Sequence, residues 1–288
     1  MAAGGELVGP GRVAVVTGAA SGIGLGLAER FVAEGMRVVM ADVEEPALSA
    51  AREAVAAAAK DPERVRSVVT DVSRLEDVEA LRDRTLDAFG AVHVVCNNAG
   101  VGGSTEPMWE IPVGEWEWVL GVNLWGVIHG VRTFLPVLLD EGEGHVVNTA
   151  SIFGAFAGAL GPYGVSKHAV VALTEALHFQ LVERQAPIGL SVLCPGAVKT
   201  NFGTSARNRP ASAGPVRPLT PEQKELQAFM ANLTETAGRP PSEVAGIVVE
   251  GIRSGRFYLL TSENRNEAVR RRAEEILDGR PPAPPMGR

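Results

Sequence analysis

The sequence predicts an α/β fold: a single domain built on a doubly wound parallel sheet with helices on both faces. Three observations carry this. Seven short Val-rich runs alternate with longer segments of helical period. Each run is nearly continuous in apolar residues rather than alternating, as expected of strands covered on both faces. The first run leads directly into a glycine-rich stretch and then an amphipathic segment, the order of a dinucleotide-type βαβ unit. Together they describe a Rossmann-like, seven-stranded parallel sheet.

The strand runs are RVAVVTG (12–18), RVVMAD (37–42), RSVVTD (66–71), VHVVCNN (92–98), GHVVNTA (144–150), IGLSVLCP (188–195) and RFYLL (256–260). Helices fill the intervals, beginning with LGLAERFVAEG at 25–35. Residues 1–11 read as a flexible leader, 12–278 as the domain and the proline-rich 279–288 as a disordered tail. Within the domain, 201–240 is expected to supply a substrate-binding loop and lid helices. Its first part, 201–221, is rich in Pro, Ser, Gly and Arg and reads as a long mobile loop, followed by helices over 221–236 and 242–253.

Composition excludes several classes. With 27 basic and 34 acidic residues the formal charge is −7, and the one basic cluster, Arg270–Arg272, sits beside Glu274 and Glu275, so nucleic acid is not expected as a partner. The N-terminus lacks the basic start and apolar centre of a signal peptide, which points to the cytoplasm. Residues 144–166 carry no charge, but their glycines, Pro162 and polar side chains speak against a membrane span. Cys96 and Cys194 each end a strand run and read as packed thiols in a reducing compartment. The five histidines, at 93, 129, 145, 168 and 178, show no ligand spacing, and no metal is assigned.

The stretch TGAASGIG (17–24) places Gly18, Ser21, Gly22, Ile23 and Gly24 where a tight turn lets backbone approach a pyrophosphate at a helix N-terminus. Asp42 ends the second strand, positioned to accept hydrogen bonds from adenosine ribose hydroxyls and to repel a 2′-phosphate. Ser21 and Val43, which might otherwise carry a compensating arginine, are uncharged, so NAD is the expected cofactor.

TGAASGIG, NNAG (97–100), YGVSK (163–167) and PGAVKT (195–200), in this order, resemble the short-chain dehydrogenase/reductase family over residues 12 to about 200. The resemblance implies that Asp71 and Val72 flank the adenine, and that Asn98, Ala99 and Gly100 line the cofactor. Asn123 then supports a proton-relay water and Ser151 holds the substrate oxygen. Pro195, Gly196, Val198 and Thr200 meet the nicotinamide. The 12-residue interval from Ser151 to Tyr163 is one shorter than in many members, a difference the intervening loop must absorb.

Tyr163 and Lys167, four apart, share one helix face with Pro162 near its start. Lowering a phenol pKa by ~3 units takes about 4 kcal/mol, roughly what one positive charge at ~4 Å supplies at an effective dielectric near 20. Lys167, the nicotinamide charge and the helix N-terminus are expected to supply it. Tyr163 then serves as general acid/base, with Lys167 also binding the nicotinamide ribose. The reaction expected is interconversion of a secondary alcohol and its ketone. The alternatives are an NADP-dependent ketoreductase, which Asp42 opposes; a silent NAD-binding regulator, which has no use for the whole set Asn123, Ser151, Tyr163 and Lys167; and non-redox chemistry, such as dehydration or epimerisation, on the same scaffold.

The helix bearing Tyr163 is apolar around most of its circumference, as is 115–139 with Trp116, Trp118, Trp125 and Phe134. Both faces call for a second subunit, and the resemblance implies a homotetramer. Arg207, Arg209 and Arg217 read as solvated loop residues, with recognition of an acidic substrate the lesser expectation.

Overall fold

The computed structural model describes residues 7–59, 61–156, 158, 161–215, 218–262 and 266–283. Seven parallel strands form one sheet: β1 (Val13–Thr17), β2 (Arg37–Asp42), β3 (Val65–Val69), β4 (Val94–Asn97), β5 (Gly144–Thr149), β6 (Ile188–Cys194) and β7 (Tyr258–Leu260). Their order is β3-β2-β1-β4-β5-β6-β7. The strand sequence reverses between β1 and β4, which opens a crevice at the strand C-termini.

Helices cover both faces. One is lined by α1 (Gly22–Ala33), α2 (Glu45–Ala58) and α8 (Pro241–Ser254), the other by α3 (Leu75–Phe89), α5 (Gly126–Glu141) and α6 (Gly161–Glu183). Successive residues of β1 explain this division: Ala14 and Val16 pack with α1 and α8, while Val15 points to the core of α3 and α5. All five residues of β1 are buried, which is why its apolar run does not alternate.

Helix α4 (Val113–Leu120), a π-helical turn (Gly121–Trp125) and α5 run on as one helix, Val113–Glu141. With 29 residues, and a mean hydropathy of 1.3 over its most apolar 18-residue stretch, it is long and apolar enough to cross a membrane. The sequence reading weighs only 144–166 as a candidate span and does not consider this helix. Here the helix buries Val119, Asn123, Val127, Phe134 and Leu138, as a core helix of an α/β domain does.

Both expected flexible ends are corrected. Leu7 and Val8 are buried in the core of α1 and α2, and Pro10 packs on Gly35, so residues 7–11 are part of the domain; 1–6 lie outside the described residues. At the other end, α9 (Asn266–Leu277) stops at Gly279, whose φ of 65° reverses the chain. Ala283 N then donates to the buried Glu275 at 3.2 Å, so 279–283 fold back on the helix. Residues 284–288 lie outside the described range.

The loop expected over 201–221 is not irregular throughout. It forms 3-10 turns at Asn201–Asn208 and Ala211–Ala213 before α7 (Pro221–Ala237), and Ser205 and Ala213 are buried. Ion pairs described below supply the order that its composition lacks.

Candidate active site

The strand C-termini gather the predicted residues along one crevice. At its nucleotide end Gly18 has φ 68°, and a Cβ there would lie 2.8 Å from Ala99 Cα, so both conformation and space demand glycine. Gly24 is hemmed in by the Gly18 carbonyl and the Asn98 amide, which brings α1 hard against the β1–β4 junction. Ser21 occupies the N-cap position of α1 without a side-chain cap, Ile23 is half-buried, and Gly22 lies against the Thr200 side chain. The uncapped amides at this terminus and the side-chain-free Gly18, Gly22 and Gly24 fit a dinucleotide pyrophosphate.

Asp42 is half-buried. Its Oδ2 accepts from Ala20 N at 3.0 Å and its Oδ1 from Glu44 N at 3.1 Å. Two backbone donors fix the carboxylate and leave acceptor capacity for ribose hydroxyls. Asp71 accepts from Ser73 N at 3.0 Å and Ser73 Oγ at 2.7 Å. Val72 is buried against Gly126, and its carbonyl accepts from His129 Nδ1 at 2.9 Å.

Asn98 stitches three strands together. Its amide N accepts nothing but donates, to Thr17 Oγ1 at 2.9 Å; its Nδ2 donates to Thr17 O at 3.0 Å; and its Oδ1 accepts from Thr149 Oγ1 at 3.3 Å. Ala99 N also donates to Thr17 Oγ1, at 3.1 Å. Gly100 runs close to Asn123 Oδ1 and Lys167 Nζ. The neighbouring Asn97 donates to Asn148 Oδ1 at 2.8 Å, and Asn148 in turn to Thr174 Oγ1 at 3.1 Å. A buried polar ladder of this kind fixes strand positions because every member is satisfied.

The chemical end is built on α6. Lys167, 3% exposed, donates from Nζ to Thr149 O at 2.9 Å and lies 5.8 Å from the Tyr163 ring centroid. Asn123 sits in the π-helical turn, a distortion that recurs at functional sites. Its Oδ1 accepts from Val101 N at 2.8 Å and its Nδ2 donates to Val101 O at 2.9 Å and Ser166 Oγ at 3.1 Å. Ser151 is buried, its Oγ accepts from Phe153 N at 3.2 Å, and the turn after it is anchored by Ile152 N donating to Pro195 O at 2.9 Å. Gly196 N donates to Thr261 Oγ1 at 2.9 Å, and Val198 is buried and bridged to Arg239.

The electrostatics differ from the sequence expectation. Burial pushes the Tyr163 phenol up to about 12, and the Ser151 side chain lowers it only in part. Burial likewise pushes Lys167 down to about 8. Desolvation disfavours both charged forms, so the chain's own groups hold Tyr163 protonated rather than lowering its pKa.

The lid residues Arg207 and Arg209 are also resolved. Arg207 pairs with Glu44, and Arg209 Nε donates to Glu115 Oε2 at 2.5 Å while its other nitrogens donate to Gly214 O and Ala213 O. Neither offers a free guanidinium to an acidic substrate, and Arg217 lies outside the described residues. Phe202 packs its ring 5.3 Å from that of Tyr163. Sequence reasoning misses Thr17, Thr149, Ser166, Glu44, Glu115 and Phe202, none of which stands in a spacing that announces it. Among the described residues no group of three His, Cys, Asp or Glu side chains could hold a metal, and Cys96 and Cys194 are buried free thiols.

A sequence profile of the family described as short chain dehydrogenase matches residues 12–211. The 1-deoxy-11-beta-hydroxypentalenate dehydrogenase of Streptomyces exfoliatus is 37% identical over 268 residues, spanning 92% of this chain and 88% of its own. The 3beta-hydroxysteroid dehydrogenase 2 of Eggerthella lenta is 36% identical over 235 residues, 77% of this chain and 88% of its own. A short chain dehydrogenase/reductase from Burkholderia phymatum, solved in complex with NAD, shares 39% identity with a TM-score of 0.92, covering 98% of this chain and 99% of that one. Fold and relatives define an oxidoreductase that acts on CH–OH groups. The chain belongs to the short-chain dehydrogenase/reductase family.

Proposed function

We propose that this protein is an NAD(H)-dependent oxidoreductase that interconverts a bulky, largely apolar secondary alcohol and its ketone, with Tyr163 as the general acid/base. The observation that carries this reading is the buried Lys167 ammonium, anchored on Thr149 O and 5.8 Å from the Tyr163 ring, with Ser151 buried at the same crevice end, away from Asp42. Bound NAD(H) supplies the hydride acceptor or donor. Ser151 fixes and polarises the substrate oxygen. Protonated Tyr163 gives its proton to that oxygen during ketone reduction and takes it back during alcohol oxidation.

Lys167 holds positive charge next to the phenol and stabilises the phenolate that forms. Asn123, gripping both backbone groups of Val101, keeps the loop after β4 in register with α6. Phe202 excludes water from the tyrosine and offers an apolar wall. The engaged arginines and the hydroxypentalenate and hydroxysteroid relatives support a substrate recognised mainly by apolar contact. Asp42 supports NAD over NADP, and the NAD-bound relative from Burkholderia phymatum agrees with it.

The assembly we propose is a homotetramer. Trp125, Val165, Phe179 and Val182 are exposed on α6 and the helix packed against it, 52%, 45%, 71% and 60% respectively, an apolar surface suited to a second copy. A stable monomer by light scattering at micromolar concentration contradicts this. Two buried free thiols suit the cytoplasm, where we place the enzyme. The central test is nicotinamide absorbance over a panel of apolar secondary alcohols and ketones, with NAD and NADP in parallel. Turnover of none of them, or turnover with NADP alone, overturns the reading.

A further inference from the structure

Glu44 and Arg207 stand 163 residues apart in sequence and meet over the crevice. Arg207 Nε donates to Glu44 Oε2 at 3.0 Å and Nη2 to Oε1 at 2.5 Å, a two-pronged pair, and Asn208 Nδ2 adds a third donor to Oε1 at 2.8 Å. The remaining guanidinium nitrogen, Nη1, donates to Thr204 Oγ1 at 3.1 Å and Asn201 O at 3.4 Å. Arg207 is therefore committed to this contact. On the other side, Glu44 N donates to Asp42, the carboxylate at the end of β2.

The path of the chain gives the contact its meaning. Thr200 lies on Gly22 of the glycine turn, Phe202 on Tyr163, and Ser205 Oγ accepts from Gly102 N at 2.8 Å. Arg207 then reaches the β2–α2 junction. Residues 200–208 thus strap the crevice from the catalytic tyrosine to the carboxylate that marks the ribose end. Apart from Ser205 the strap is exposed or half-exposed, so its attachment at the far end rests on Glu44, through this ion pair and the Asn208 bond.

We propose that Glu44 and Arg207 form a clasp that controls how fast the dinucleotide leaves. They are positioning residues rather than catalytic ones, and the inference rests on NAD(H) occupying this crevice. The two side chains are 25% and 38% exposed. An exposed pair shifts an equilibrium by up to about fivefold, small enough to open in every cycle and large enough to slow release. Opening of such segments limits turnover in many enzymes.

The test is stopped-flow release of NADH, followed by its fluorescence, in the unmodified protein, Glu44→Gln, Arg207→Gln and the double variant. Each single change is expected to speed release about fivefold, and the double no further, because either one opens the clasp. Raising salt from about 0.05 M to about 0.5 M is expected to speed release from the unmodified protein beyond any change in the variants. Single-turnover ketone reduction with saturating NADH stays unchanged, which separates the clasp from the chemistry. Release rates within about 1.5-fold of the unmodified protein in both single variants, or fully additive effects in the double, overturn the clasp. Failure of NADH to bind the unmodified protein overturns the cofactor reading itself.

Discussion

The two ends of the crevice are built on different physics. The nucleotide end is made of backbone: Gly18 and Gly24 leave no room for a side chain, Asp42 is held by two amides, and Asn98 ties β1 to β4 and β5. The lid end is made of side chains. Residues 201–215 hang on Glu44–Arg207 and Glu115–Arg209, and α7 shows no buried residue among those described. Backbone packing cannot be adjusted by single substitutions without strain, whereas ion pairs can be weakened one at a time. The first arrangement suits a cofactor that does not vary, the second the opening lid proposed for 201–215.

The sharpest break in this comparison comes at the point where both ends serve the chemistry. Tyr163→Phe removes the oxygen proposed to transfer the proton and keeps the ring against Phe202. Turnover is expected to fall by roughly 10²–10⁴-fold while NADH binding, measured by fluorescence titration, holds. Near-normal turnover removes Tyr163 from the acid/base role.

The rigid sheet has an acid limit. His145, 1% exposed in β5, bonds through Nε2 to Ser191 Oγ at 2.8 Å, and Ser191 itself donates to Arg256 O, so His145 is the neutral donor. Burial pushes its pKa down to about 4, against 6.5 in an unfolded chain. The unfolded state therefore takes up a proton that the folded state refuses between these values. Stability is complete above pH 6.5 and falls by about 3 kcal/mol as the pH drops to about 4. Urea midpoints across this range check the slope, and His145→Gln should flatten it.

At the lid, Glu115 is 4% exposed, accepting from Ser104 N at 3.0 Å as well as from Arg209. Glu115→Gln keeps an acceptor for Ser104 and removes the charge facing Arg209. Hydrogen exchange over 201–214 should quicken about tenfold, about 1.4 kcal/mol of local stability, with KM for the alcohol rising and NADH affinity unmoved. Equal exchange in both proteins shows that the lid does not depend on this pair.

The smallest effect is expected at Asp42. Asp42→Ala removes the carboxylate proposed to hold the ribose and repel a phosphate, and should narrow the preference for NADH over NADPH by about tenfold or less. Tighter NADPH binding to the unmodified protein reverses the assignment.

Much of this was legible in the chain itself. Seven nearly continuous apolar runs separated by helical segments specify a sheet covered on both faces, because burial on two sides removes the alternation of polar and apolar positions. The glycine turn, Asp42 and the Tyr163–Lys167 spacing are local patterns, so their placement follows once the strands are in order. The ends were misread because their order comes from elsewhere: Leu7 and Val8 dock on α1 and α2, and Glu275 receives Ala283. The lid was misread for the same reason, since Glu44 and Glu115 lie 163 and 94 residues from the arginines that they hold. The direction of the Tyr163 shift also belonged to the tertiary structure alone. Sequence supplies the charge four residues away, but only the packed fold removes the water that opposes it.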